Sequence, residues 1–199
     1  MAGTVKASEL REGVRATFNA VAETPARGFR FPVGPELARQ VGYPDDLLSA
    51  LPGLVRESFT GLAYLHPYLS LFPGEHVLDL GSGGGLDAIL AARAVAPTGN
   101  VTGLDFAEAM VAKGRAVAGT LGVTNVEFVQ GPAEAMPFPD GVFDAVLVNG
   151  LLNLCPDKAV VAREMCRVLK AGGRGVVAEI TYTDSLQPAE IRTIDDWFR

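Results

Sequence analysis

The sequence predicts an α/β protein: a doubly wound parallel sheet with strand order 3-2-1-4-5, preceded by a helical cap. Three observations carry this reading. From Pro73 onward, strand-like and helix-like patterns alternate, which is how parallel sheets with crossover helices are written. The first strand-to-helix junction is a glycine turn, Val77-Leu78-Asp79-Leu80-Gly81-Ser82-Gly83-Gly84-Gly85, with four glycines in its last five residues. Residues 1–72 show helical spacing and no strand-like alternation. Right-handed crossovers, with a reversal after the third strand, then give the order 3-2-1-4-5.

In the cap, Leu10, Val14, Phe18 and Val21 recur at helical spacing, so residues 8–23 read as an amphipathic helix that Pro25 and Gly28 end. A loop with Phe29, Phe31 and Pro32 follows, and packing onto the main domain is its plainest role. Gly34-Pro35 and Tyr43-Pro44 read as helix starts with proline at the first helical position. Asp45 and Asp46 suit the first turn of the second of these. A further short helix is expected over 53–59. Residues 1–72 together are expected to lie over the ligand site as a cap, and 73–199 to form the core.

In the core, Pro73-Gly74 is a turn. Strands are expected at 75–80, 101–106, 125–130, 143–149 and 175–180. The fourth is a near-continuous apolar run, as in a strand buried on both faces. Helices are expected at 86–96, 107–121 and 157–169. Gly122 closes the second of them, and 170–173 reads as a turn. In the second helix, Ala109, Met110, Lys113 and Ala116 keep helical spacing.

Composition narrows the function classes. The chain has 199 residues, 48% hydrophobic and 20% charged, which supports one substantial core with an added lobe. A net charge of −6 gives no electrostatic footprint for nucleic acid or for an anionic membrane. No apolar run reaches the ~18 residues of a spanning helix, and residues 1–12 hold no apolar signal core. Two cysteines, Cys155 and Cys166, make neither a disulfide framework nor a zinc spacing. A cytoplasmic protein with reduced thiols is expected.

The glycine turn carries the chemistry. Its backbone must bend sharply and lie flat against a ligand, where a Cβ would intrude. It ends at a helix N-terminus, whose free N–H groups favour a carboxylate or phosphate. The dinucleotide fingerprint would need Gly or Ala where this chain has Leu86, and a P-loop would need a lysine that is absent. The pattern that fits is D-x-G-x-G-x-G, filled by Asp79, Gly81, Gly83 and Gly85, with Ser82 inside the turn. Twenty residues past Gly85, Asp105 ends the second strand, where a carboxylate can accept both hydroxyls of a ribose. Phe106 beside it is placed to cover a face of the ligand's base, or to fill the core. Asn149 ends the fourth strand at the same sheet edge, where open α/β sheets bind ligands.

With these residues in place, the sequence resembles the class I S-adenosylmethionine methyltransferases, a Rossmann-like fold. Residues 131–138, Gly131-Pro132-Ala133-Glu134-Ala135-Met136-Pro137-Phe138, resemble that family's adenine-binding loop. The family's acid is replaced here by Pro132, so the resemblance leaves the contact to the Ala133 N–H and to Glu134. The wider likeness, over about residues 58–180, is to the arsenite methyltransferase-like branch. It includes Pro73-Gly74-Glu75, Pro97-Thr98-Gly99 and Asn149-Gly150-Leu151-Leu152-Asn153-Leu154. That branch holds arsenic on thiolates. Gly150 stands where one such cysteine is expected, and residues 58–67 supply no other. Cys155 is near enough to line the site, and Cys166 is expected in the core of its helix.

The resemblance implies a methyltransferase that uses S-adenosyl-L-methionine on a small-molecule acceptor. The alternatives are a cofactor-binding module without transfer, or an arsenite methyltransferase with Cys155 as its thiol. An NAD-linked oxidoreductase is disfavoured by Leu86. His66 and Tyr64 are the candidates for a base, and no catalytic residue is assigned. A pocket beside Gly150 is expected to be walled by Tyr64, His66, Phe29 and Phe31. After the fifth strand, 183–187 reads as loop and 188–199 as a helix. That is too little for a further crossover helix and an antiparallel strand pair. A second copy of the chain, or a further segment, is expected to cover the open sheet edge.

Overall fold

A computed structural model describes residues 6–181. The expected loop at 183–187, the helix at 188–199 and the absence of further strands lie outside those residues.

Helix α1 (Ala7–Glu23) runs as its spacing requires, and a 3-10 turn over Pro25–Arg27 follows it. Four short helices come next: α2 (Pro35–Gln40), α3 (Asp45–Ser49), α4 (Gly53–Arg56) and α5 (His66–Leu69). Pro35 does open α2, whereas Pro44 stands one residue before α3. Helix α4 stops three residues short of Phe59. Helix α5 has no counterpart in the sequence pattern, since a single turn shows no periodicity.

The core alternates β1 (His76–Leu80), α6 (Leu86–Val95), β2 (Asn100–Asp105), α7 (Glu108–Leu121), β3 (Val126–Gln130), β4 (Phe143–Asn149), α8 (Lys158–Val168) and β5 (Leu169–Ala178). A 3-10 turn, Leu152–Leu154, links β4 to α8. Asp157 caps α8 by accepting from the Val160 N–H at 3.0 Å. Gly122 ends α7 at φ +64°.

Among the described residues all strand pairings are parallel, and the order is β3-β2-β1-β4-β5. Leu78 of β1 lies beside Thr102 of β2 on one side and Val146 of β4 on the other. The β4–β5 pair departs from the expected outline. Phe143 pairs with Leu169 and Ala145 with Arg174, so two steps along β4 face five along β5. The expected turn at 170–173 is therefore a looped-out irregularity inside a longer strand, with Gly172 at φ +80°.

Alternation along the strands divides the core in two. Val77, Ala145 and Leu147 face α6, α7 and the helices α2–α5, whose Tyr43, Leu48, Val55 and Leu69 join the same apolar cluster. Leu78, Leu80, Val146 and Val148 face α8 and the loop over 131–142. Phe128 of β3 sits where three glycines lack a side chain: a Cβ on Gly85, Gly103 or Gly114 would come within 2.7 Å of its ring. This brings α7 and the glycine turn close onto the sheet.

A third cluster joins α1 to α7 through Val21, Ala22, Ala107 and Met110, with Phe18, Phe29 and Phe31 packed on it. The aromatic loop therefore packs onto the main domain. Cys166 is a correction: it is exposed on α8, whose buried face is Val161 and Val168, seven residues apart.

Candidate cofactor site

The turn after β1 is held from β2. Gly81 and Ser82 both donate their N–H to the Leu104 carbonyl, at 2.8 and 3.1 Å. The Asp105 carboxylate accepts from the Gly83 N–H through Oδ2 and from the Ala107 N–H through Oδ1, both at 2.8 Å. One acid thus fixes the turn and the start of α7. Burial pushes its pKa up, against the pull of those backbone donors.

Gly81, Gly83 and Gly85 have φ of +79°, +51° and +91°, the left-handed region that side chains disfavour. They differ in surroundings. A Cβ on Gly81 would meet Leu151 at 3.1 Å, and one on Gly85 would meet Phe128 at 2.6 Å. A Cβ on Gly84 would meet Ser58 Oγ at 2.6 Å, whereas one on Gly83 would meet nothing within 4 Å. Gly83 is the turn's open face.

Below the turn lie buried polar groups. Asp79 is 2% exposed and its Oδ2 has no partner among the described residues. Ser58 Oγ and Ser82 Oγ are in the same state. Burial, and then the charges of Asp87 and Asp105, push the Asp79 carboxyl well above the usual range. Asp87 is partnered: its Oδ1 accepts from the Tyr43 hydroxyl at 2.6 Å and lies 3.1 Å from His66 Nε2. Its Oδ2 accepts from Asn149 Nδ2 at 2.9 Å.

Above the turn is an open cleft. Gly81, Gly83, Asp105, Phe106, Ala133, Glu134 and Asn149 all line it. Asp79 and Ser82 line the smaller hollow beneath the turn, which also touches Gly83 and Asn149. Gly85 borders neither and packs on Phe128.

The roof is the inner face of α1, through Arg11, Val14, Arg15 and Phe18. Arg11 pairs with Glu134 at 3.2 Å, and the Arg15 guanidinium stands 5.9 Å from the Phe106 ring centre. Arg11 and Arg15 escaped the sequence reading, although they are four apart on the face that carries Val14 and Phe18. Tyr64, His66, Phe29 and Phe31 do not line the cleft. The first two pack around Tyr43 and Asp87, and the other two stack with Phe18 or each other. The wall beside Gly150 is Thr60, Leu151, Leu154 and Cys155.

The Gly83 face and the unpartnered Asp79 oxygen lie in adjoining hollows at the carboxyl ends of β1 and β4, where the strand order reverses. An acid at the end of β2 stands beside them. Doubly wound sheets bind nucleotide-type ligands at such a place, and its carboxylates offer acceptors to a ligand's N–H and O–H groups.

The methyltransferase domain family matches residues 71–199. The arsenite methyltransferase of Halobacterium salinarum is 36% identical over 149 residues, covering 73% of this chain and 37% of the relative. The demethylmenaquinone methyltransferase of Listeria welshimeri is 41% identical over 115 residues, 58% of this chain and 47% of that one. Among solved structures, an arsenic(III) S-adenosylmethionine methyltransferase from Chlamydomonas reinhardtii aligns with a TM-score of 0.52 at 31% identity. That alignment covers 71% of this chain and 48% of the other. The chain spans about half the length, or less, of these relatives. It belongs to the methyltransferase domain family, a class whose cofactor is S-adenosyl-L-methionine.

Proposed function

We propose that this chain binds S-adenosylmethionine between the glycine turn and α1 and transfers its methyl group to a small organic acceptor. The observation that carries the reading is the open face of Gly83 beside the buried, unpartnered Asp79 oxygen. A buried acceptor without a donor costs free energy unless a ligand supplies one. Asp79 and the turn are assigned to the amino-acid end, Asp105 to the ribose, and Phe106, Ala133 and Glu134 to the base.

When bound, the cofactor supplies a methyl group already activated by its positive sulfur. The chain must then align the acceptor with that methyl and exclude water. The roof formed by Val14 and Phe18, with Leu151 and Leu154 beside it, does the excluding. No general base is needed for a nucleophile that is neutral or readily ionised. His66 does not line the cleft and is engaged by Asp87.

Arsenite is disfavoured as the acceptor. Soft centres select several thiolates, and Cys155 is the one thiol on the cleft among the described residues. Burial pushes its pKa up to about 12, so it is protonated at neutral pH. Cys166 is exposed on α8. Among the described residues, no three His, Cys, Asp or Glu side chains group as metal ligands.

We further assign residues 1–72 as the cap and 73–199 as the cofactor-binding core, because α1 roofs the cleft and the turn floors it. The net charge argues against a nucleic-acid partner. No helix among the described residues is long and apolar enough to cross a membrane, in keeping with the proposed cytoplasmic location. The outer edge of β5, near exposed Val177 and Ile180, is where a second copy or a further segment would pair.

Incubation with methyl-labelled S-adenosylmethionine and a panel of oxygen, nitrogen, sulfur and carbon nucleophiles tests the proposal. Labelled product from one acceptor class supports it. Tight cofactor binding with no product from any class assigns the chain as a binding module. Methylated arsenic formed with arsenite and excess thiol, and lost in Cys155→Ser, would overturn the choice of acceptor.

A further inference from the structure

Asn149 ends β4 at the cleft, yet its side chain is already engaged. Its Oδ1 accepts from the N–H groups of Leu62 and Ala63, at 2.7 and 3.2 Å. Its Nδ2 lies within hydrogen-bond distance of Ala63 O and Asp87 Oδ2, both at 2.9 Å, and of the Tyr43 hydroxyl at 3.3 Å. Only a carboxamide can accept from two N–H groups at one end and donate to a carboxylate and a carbonyl at the other.

The backbone is shaped around this contact. A Cβ on Gly61 would fall 2.6 Å from Asn149 Nδ2, and one on Gly150 would meet Leu62 at 3.2 Å. Asp87, 6% exposed, anchors the assembly from the first turn of α6 and is itself held by Tyr43 and His66. The segment so pinned carries Thr60, which borders both the cleft and the hollow under the turn, along with Gly81 and Gly83.

We propose that Asn149 and Asp87 are positioning residues, which hold segment 60–63 as the wall of the cofactor cleft opposite α1 without touching the cofactor themselves. The inference rests on the cofactor reading above. It replaces a ligand role for Asn149 with an indirect one, because a bond to the cofactor would require releasing Leu62, Ala63 or Asp87.

Two readouts test it together: hydrogen exchange at the Leu62 and Ala63 amides, and S-adenosylhomocysteine binding by calorimetry. Asn149→Ala is expected to speed exchange at both amides at least tenfold and to weaken binding about tenfold, with the thermal transition still cooperative. Gly83→Val is expected to abolish binding while both amides stay protected.

Asn149→Asp adds a readout that a merely structural role would not move. Its carboxylate can still accept from both amides, but it faces the Asp87 carboxylate. The titratable groups around it are Asp87 on α6, Tyr43 ahead of α3, Tyr64 ahead of α5, His66 on α5 and Asp79 on β1. Measured as a ratio to the unsubstituted protein, the affinity loss should be largest at pH 7.5. It should narrow towards pH 5.5, as one proton restores a donor between the two carboxylates.

Equal binding by Asn149→Ala would overturn the proposal. So would weakened binding with unchanged exchange at Leu62 and Ala63, which would make Asn149 a direct ligand. A loss in Asn149→Asp that does not vary with pH would also overturn it. Failure of the unsubstituted protein to bind S-adenosylhomocysteine would sink the cofactor reading, and this inference with it.

Discussion

On the segment 60–63 side of the cleft, the polar contacts are shared and at least half-buried, with Tyr43–Asp87 fully buried: Asn149, Asp87, Tyr43 and His66 hold one another and the backbone. On the opposite side, the N-terminal half of α1 closes the cleft through an Arg11–Glu134 pair whose arginine side chain is 45% exposed, and through Arg15 over Phe106. Its buried apolar residue is Leu10. The C-terminal half of α1 is anchored differently. Val21 is fully buried, Ala22 O accepts from the buried Lys113 Nζ at 2.9 Å, and Asn19 Oδ1 accepts from the Ala109 N–H at 3.0 Å. Exposed ion pairs stabilise by about 0–1 kcal/mol, whereas removing one member of a buried polar set costs about 1–3 kcal/mol. The cleft therefore has one wall set by shared, largely buried bonds and one whose N-terminal half is held by a partly exposed ion pair and a cation–π contact. Cofactor exchange is expected on the α1 side.

The largest expected effect is at the floor common to both walls. Gly83→Val should remove S-adenosylhomocysteine binding in calorimetry, because the side chain enters the open face and the backbone has φ +51°. Asp105→Ala should weaken binding by about 1–3 kcal/mol, roughly five- to 150-fold. It deletes the proposed ribose acceptor and frees the N–H groups of Gly83 and Ala107.

Asp79→Asn sharpens the contrast between function and stability. The Asp79 pKa is raised in the folded protein, so ionising it penalises the native state as pH climbs above the ordinary carboxylate range. The Asn variant should have a higher Tm than the unsubstituted protein at pH 7, and the gain should disappear near pH 3. The smallest effect belongs to the Arg11–Glu134 pair on the α1 wall. Arg11→Ala should change affinity by less than about sixfold, the equivalent of 1 kcal/mol, and the difference should shrink in high salt.

How much of this was legible in the sequence follows from the kind of signal each part leaves. The strand order and the glycine turn were readable because alternation of elements and left-handed glycines are local, periodic features. The apolar run over 143–149 and the Gly122 stop needed no tertiary information. Helix α5 and the 3-10 turn Leu152–Leu154 were not readable, since single turns carry no period. The 170–173 bulge reads like a turn because Gly172 does turn, although β5 pairs with β4 on both sides of it.

In the site, Asp105, named from its place at the end of the second strand, and residues 131–134, named from the family resemblance, line the cleft. A cap over the site was expected of residues 1–72, but the contacts by which α1 closes it and the Asp87 hub were invisible, because pairs such as Asp87 with Tyr43, or Arg11 with Glu134, join residues far apart in the chain. Cys166 was misplaced because one apolar-looking residue in a helix does not say which face it occupies.

The most direct measurement is a crystal structure of the protein with S-adenosylhomocysteine. The homocysteine end is expected beside the Gly83 face and Asp79, the ribose hydroxyls on Asp105, and the base between Phe106 and the Ala133–Glu134 backbone. The Asn149 side chain is expected to remain bonded to Leu62, Ala63 and Asp87. Ligand density away from the glycine turn, or an Asn149 side chain released from the 62–63 backbone to hold the ligand, would contradict it.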